Sequence, residues 1–270
     1  MTMIQDADRL FRRYMQALGW LGDPGLFELV RTHLIKVPVE NVSAILAQAP
    51  GLPSIETFLE GISTRDLGGD AFTNNGYFAE LLRYLDYDVE LLAGEIDGNS
   101  FAHALIKVVD DGQTYLVDVG LGAPLEEPIA IDTLPLRVES GDWVYTFEKR
   151  GDDGTFVLTT ALCGATTTTA VFPPTPRAIE DFAPAALQRH SPDHAHLRHL
   201  KITRAFAASR VVTLSDTKLS TTHHNETKRR SIPDLDALSV TVAEDLQLPK
   251  LPLAEAVAAL AKRGIDIFAS

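Results

Sequence analysis

One cysteine, Cys163, occurs in 270 residues. An intramolecular disulfide is therefore excluded, and so sparing a use of thiols suits a reducing compartment, so a cytoplasmic protein is expected. No apolar run approaches the ~20 residues of a membrane-spanning helix. The opening residues, Met1 to Asp6, show no basic segment followed by an apolar stretch, so no secretory signal is expected. Positive charge is scarce: 24 Lys and Arg stand against 37 Asp and Glu, a formal net charge of −13. A field of that sign opposes non-specific association with nucleic acid or anionic lipid, and neither is expected as a partner. Internal repeats and extended low-complexity tracts are missing too, since the run Thr166 to Thr169 is too short to count.

What is present is the composition of an ordinary globular protein, 45% hydrophobic and 23% charged, in a chain long enough for two or three subdomains. Residues 1–86 read as a helical bundle. Leu10, Phe11, Tyr14, Met15 and Leu18 recur at helical spacing before Gly19, and a second stripe from Leu26 to Leu34 ends at Val37-Pro38. Ser54 is placed to cap a third helix, with Glu56 favourable to its dipole and Thr57 leaving the capping box incomplete. Tyr77, Phe78, Leu81, Leu82 and Leu85 mark a fourth.

Over residues 87–175 the period changes. Val89 to Ala93, Ala102 to Val109, Thr114 to Val119, Trp143 to Phe147 and Thr155 to Leu158 read as strands, with hairpin turns at Asp110-Asp111-Gly112 and Asp152-Asp153-Gly154. An antiparallel sheet or small barrel is expected. Pro173-Pro174-Thr175-Pro176 breaks it. Residues 176–270 mix a helical or irregular stretch from Ala183 to Leu200, a strand at Val211 to Leu214 and a terminal helix from Leu253 to Lys262, stopped by Gly264. The fold class is α+β.

His103 and Asp118 fall on adjacent strands of one predicted hairpin, 118 − 103 = 15 residues apart. An aspartate receiving the Nδ1–H of the imidazole would fix its tautomer, stabilise its cationic form and leave Nε2 as a base. The same pair could equally be a buried polar contact holding the hairpin. Gly68-Gly69 precede the helix that carries Ala71; glycines admit close backbone approach, and a helix N-terminus offers N–H groups to a developing oxyanion. In isolation they read as a tight turn. His190, His194, His196 and His199 tempt a metal reading, but Pro192 disrupts any shared helix face and no thiolate joins them, so no metal is expected. His223-His224 has the same weakness, and Lys228-Arg229-Arg230 reads as a solvated loop.

Along nearly its whole length the chain resembles the arylamine N-acetyltransferase family. Tyr14 to Gly19 and Leu34-Ile35-Lys36-Val37-Pro38-Val39-Glu40-Asn41 are similar to two N-terminal motifs. Ala102-His103-Ala104-Leu105 and Tyr115 to Gly122 match the histidine and aspartate motifs, and Phe172-Pro173 and Asp181-Phe182 fit further on. The nucleophile motif, Arg-Gly-Gly-x-Cys-x-Glu-x-Asn, falls on Leu67 through Asn75. The resemblance implies a helical bundle, an antiparallel β-barrel and an α/β lid around a cysteine-protease-like core. It implies a Cys-His-Asp site in which cysteine takes an acyl group from a thioester and gives it to an amine. It also implies a cleft walled by Gly68, Gly69, Asp70, Phe72 and Phe101.

Three positions depart from that pattern: Ala71 for the cysteine, Leu67 for the arginine and Thr73 for the glutamate. An engineered Cys→Ala change would account for the first alone, whereas all three together point to natural divergence. A methyl group cannot accept an acyl group. Thr73 lies about 200° around a helix from position 71, and Asp70, Cys163, Ser100 and Thr64 are no better as substitutes; lone cysteines are usually buried small hydrophobes. Two readings follow. The first is an acyltransferase or amide-forming enzyme that uses His103 and Asp118 with acetyl-CoA or another acyl thioester as cosubstrate, no permanently bound cofactor, and a small-molecule amine or an acyl carrier protein as partner. The second is a non-catalytic binding protein that keeps the cleft.

Overall fold

The computed structural model describes residues 3–269 apart from 23, 123–124, 132–133, 141–142, 163, 207–209 and 224–225. Cys163 and His224 thus lie outside the described residues. The chain opens with helices α1 (Met3–Leu18), α2 (Leu26–Lys36), the short α3 (Val42–Ile45), α4 (Ile55–Arg65) and α5 (Ala71–Tyr84), with strand β1 (Val39–Glu40) between α2 and α3. Gly19 stops α1 at φ +87°, a left-handed conformation that costs glycine little. Ser54 caps α4, its hydroxyl accepting the Thr57 amide at 3.3 Å. The fourth apolar stripe belongs to α5, which begins four residues before Asn75 because Asp70 caps it.

Strands β2 (Asp88–Ile96), β3 (Asn99–Asp110), β4 (Gln113–Val117) and β5 (Ile129–Ala130) are followed by β6 (Leu136–Ser140), β7 (Trp143–Lys149), β8 (Phe156–Leu162), β9 (Ala165–Phe172) and β10 (Pro176–Arg177). They form one antiparallel sheet in the order β5-β4-β3-β2-β9-β8-β7-β6, with β10 also on β2. Its end strands do not pair among the described residues, so the barrel takes the form of an open, curled half-barrel. The two predicted hairpins, β3–β4 and β7–β8, are present with the expected turns.

The last third holds a 3₁₀ turn (Ile179–Phe182), α6 (Ala183–Arg189), β11 (Lys201–Phe206), β12 (Arg210–Ser215), β13 (Lys218–His223), β14 (Glu226–Ser231), α7 (Leu235–Glu244) and α8 (Leu253–Lys262). Lys228 to Arg230 therefore lie on strand β14, not in a loop; β14 pairs with β13 across a full six-residue register. The second sheet runs β1-β11-β12-β13-β14, so the last third recruits a strand from the first.

Three apolar clusters organise these parts. One packs α1, α2, α4 and α5 against the α5-facing side of β2 and β3, with Phe72, Phe78, Ala104 and Ile106 fully buried. A second, built around Leu92, Leu105, Phe147 and Phe172, fills the half-barrel. The third joins α3 and Leu67 to the second sheet and to α7 and α8. Among the described residues no helix is long and apolar enough to cross a membrane.

Candidate active site

Asp118 anchors the site. Its side chain is fully buried just past β4, where Oδ1 accepts Nδ2–H of Asn75 and the Gly120 amide, both at 2.9 Å. Oδ2 accepts Nε2–H of His103 at 2.6 Å. The expected orientation of the imidazole is reversed: Nε2 faces the carboxylate and Nδ1 points away from it. The register explains this. Ile106 pairs with Val117, so continuing the ladder sets Asp118 opposite Leu105, two residues along β3 from His103. The two side chains share a face but are diagonal neighbours, so the ring spans the gap with its far nitrogen.

Asn75 holds the pair in place. Its Nδ2 also donates to the Ala104 carbonyl at 2.8 Å, and its Oδ1 accepts the Val119 amide at 2.8 Å. One buried amide thus ties α5 to β3 and to the segment after β4. It stands four residues after Ala71, on the same helix face, and that spacing is the signal by which a sequence reading could have assigned it this part.

Ala71 is the first residue of α5 and is buried at 8% exposure. Asp70 caps the helix, its Oδ1 accepting the amides of Phe72 and Thr73 at 3.1 Å each. Those two amides are therefore occupied, and so is that of Gly68, which donates to Glu40 Oε1 at 3.1 Å. Gly69 is drawn into a parallel bridge with Val39, so of the expected oxyanion donors the amides of Asp70 and Ala71 remain. A side chain at Gly68 would meet the Pro38 carbonyl oxygen at 2.0 Å, so only glycine lets the turn pass there.

Asp70 makes an ion pair with Arg189 of α6 at 2.7 Å. Burial alone would push its carboxyl up, but Arg189, His196 and the Thr73 amide outweigh it and hold Asp70 below the usual carboxylate range. Arg189 also donates to the Ala102 carbonyl at 2.5 Å and lies 3.7 Å above the Phe72 ring. It locks α6 over the start of α5 and the strand bearing His103. Sequence reasoning missed Arg189, because 119 residues separate it from Asp70 and no local pattern marks it.

Phe72 is fully buried against Phe182, and Phe101 meets the same Phe182 ring edge-on at 5.2 Å. Both rings pack between α5, β3 and the 3₁₀ turn. Thr73 turns its hydroxyl to Asp70 at 3.2 Å, as its rotation around the helix predicts. Glu40 is buried with the amides of Gly68 and Ser43 on its two oxygens. Burial raises its carboxyl, and amide donors offset part of that shift. Leu67 joins the third apolar cluster. His190, His194 and His196 lie near one another, but no group of three or more side chains that could hold a metal ion occurs among the described residues.

This arrangement can orient an imidazole and present backbone amides, beside a helix N-terminus that carries only a methyl group. Comparison with known proteins identifies the family. A family model described as N-acetyltransferase matches residues 24–250. Proansamycin X synthase of Amycolatopsis mediterranei is 29% identical over 160 residues, covering 51% of this chain and 61% of that protein. An arylamine N-acetyltransferase of Mycolicibacterium smegmatis is 28% identical over 158 residues, covering 53% and 57%. The chain thus aligns with about three-fifths of the length of these curated relatives. The arylamine N-acetyltransferase of Mycobacterium marinum, solved in complex with CoA, superposes with a TM-score of 0.78 at 20% identity, over 93% of this chain and 98% of that one. The chain belongs to the arylamine N-acetyltransferase family.

Proposed function

We propose that the protein moves an acyl group from a thioester, acetyl-CoA or a longer acyl-CoA, directly onto an amine, without passing it through a protein thiol. The observation that carries this reading is the partly exposed His103 held 2.6 Å from the buried, Asn75-clamped Asp118, beside an N-terminal helix residue that is alanine. An imidazole oriented by a buried carboxylate is the arrangement that general-base chemistry needs.

The amine nitrogen attacks the thioester carbonyl carbon, and Nδ1 of His103 takes the N–H proton as the C–N bond forms. Asp118 stabilises the imidazolium that results. The backbone amides of Asp70 and Ala71 face the developing oxyanion. The C–S bond then breaks, the proton passes from His103 to the departing sulfur, and the products are an amide and a free thiol. Covalent catalysis is lost, while orientation and acid–base assistance are kept. Family membership and the CoA complex of the M. marinum protein support the donor. An acyl carrier protein is the other possible bearer of the thioester, although a net charge of −13 offers an acidic carrier no long-range attraction.

Intact mass and product analysis with acetyl-CoA, longer acyl-CoAs and a panel of arylamines tests this. The chain as it stands is expected to form amide with no acyl adduct, and His103→Ala to abolish it. Ala71→Cys is expected to gain a stable acyl mass. Amide formation unchanged in His103→Ala overturns the mechanism. An adduct on Ala71→Cys with no product from the parent chain favours a binding protein that retains the cleft, the reading that Ala71, Leu67 and Thr73 support.

A further inference from the structure

Two side chains grip strand β3 on either side of His103. Nδ2 of Asn75 donates to the Ala104 carbonyl at 2.8 Å, and Nη2 of Arg189 donates to the Ala102 carbonyl at 2.5 Å. Asn75 stands on α5 one turn beyond Ala71, whereas Arg189 ends α6, 87 residues beyond Ala102. The other terminal nitrogen of Arg189 donates to Asp70, the residue before Ala71, at 2.7 Å. One guanidinium thus ties the residue before the base to the residue before the alanine at the nucleophile position.

The planar fork of arginine suits this place. Its terminal nitrogens diverge from one rigid plane, so both partners are held at one spacing, whereas an ammonium would reach one of them and swing. The Phe72 ring, 3.7 Å from the guanidinium carbon, steadies that plane. Asp70 is fixed in turn, since its Oδ1 accepts the Phe72 and Thr73 amides. Replacing a buried ion pair by apolar groups of equal volume is often no loss of stability, so what such a pair adds is a set geometry. The charge does not come from the family motif, whose two charged positions hold Leu67 and Thr73, but from the far end of α6.

We propose that Arg189 is a positioning residue of the acyl-transfer site, setting the spacing between the imidazole of His103 and the backbone amides of Asp70 and Ala71. It acts through Asp70 and Ala102 and does not touch the reacting atoms. Asn75 joins the same two elements on the other flank, so base and oxyanion donors are held from both sides. The proposal rests on the reading of His103 as the base, and it is tested apart from turnover.

A thiol at position 71 reports that spacing. In the full chain carrying Ala71→Cys and Cys163→Ser, the single thiol is expected to react with iodoacetamide along a low-pH limb that His103→Ala removes, because a nearby imidazolium stabilises the thiolate. Adding Asp70→Asn with Arg189→Met removes the pair while keeping the helix cap and the net charge. Alkylation at about pH 6 is then expected to slow by about tenfold, with thermal melts showing a folded chain. Arg189→Lys keeps the charge and loses the fork; it is expected to slow the reaction too, and it carries the test if the double change unfolds the chain. Loosening without a positioning role would instead expose the thiol and speed alkylation at every pH. A low-pH limb unchanged in these variants, or alkylation faster at every pH, overturns the proposal and leaves the acyl-transfer reading standing. Absence of any limb that depends on His103 overturns His103 as the base, and the proposal with it.

Discussion

A methyl group placed on Gly120 would stand 2.5 Å from the Cα of Ala71 and 2.8 Å from Nδ2 of Asn75. The nearer obstacle is backbone in the first turn of α5, which cannot swing aside as a side-chain tip would. Gly120→Ala is therefore expected to destabilise the fold by about 1–3 kcal/mol, the usual range for overpacking. Urea denaturation measures it, and a loss below about 0.5 kcal/mol would contradict the close packing.

Asn75 answers three groups at once, and Asp118 depends on it for one of its Oδ1 contacts. Asn75→Ala leaves a buried carboxylate and a buried amide short of partners, for an expected cost of about 2–4 kcal/mol. Asn75→Asp sets a second carboxylate beside Asp118 and is expected to be worse, since like charges at such range resist joint ionisation. Thermal melts of both variants rank them; the reverse order would show that the amide does not donate to Asp118.

Arg189 and Asp70 are both less than one-fifth exposed, so their attraction is only partly screened. Arg189→Met strands the Asp70 carboxylate and is expected to cost about 2–4 kcal/mol. With Asp70→Asn in the background the same change is expected to cost less, because asparagine still caps α5 without a charge. A double-mutant cycle reads the coupling, expected at about 1–3 kcal/mol. Additive losses would mean that the pair is incidental to the stability of the site.

His33, fully buried on α2, is hydrogen-bonded through Nε2 to the Tyr14 hydroxyl at 2.9 Å and lies 4.8 Å from the Phe78 ring. Burial holds its pKa down at about 3. Between the ordinary histidine value and that point the unfolded chain binds a proton that the folded chain refuses. Stability from this group is thus whole above about pH 7 and falls as the pH drops towards 3, by up to about 1.4 kcal/mol per pH unit. His33→Leu is expected to flatten the acid limb of stability against pH; identical slopes in parent and variant would refute it.

Much of this was legible in the residues, for reasons that differ by element. The stripes of α1, α2 and α4 declare themselves because each helix buries one face, and the β3–β4 and β7–β8 hairpins because Asp-Asp-Gly turns punctuate them. Helices α3 and α7 escaped, the first too short for a period and the second lacking a clean stripe. The two-residue β1 escaped because its partner β11 lies far along the chain. At the site, His103 and Asp118 could be paired from one hairpin, but which imidazole nitrogen meets the carboxylate depends on a diagonal in the register that spacing does not reveal. The Asp70–Arg189 pair depends on packing between distant elements and leaves no local trace.

Strand β1 has a bearing on how the protein comes into being. Glu40 donates its amide to the Gly69 carbonyl, fixing the glycine turn. On its other side, β1 is held by β11, while Asn41 donates to the carbonyls of His196 and His199 and accepts the Lys201 amide. The turn that begins α5 is thus braced by residues made roughly 130 positions later. On a ribosome, the helices and the half-barrel can emerge and collapse first, but the floor of the site stays unbraced until β11 arrives. A chain released before residue 201 would keep most of its apolar cores and still lack a fixed site, so loss of function would precede loss of fold.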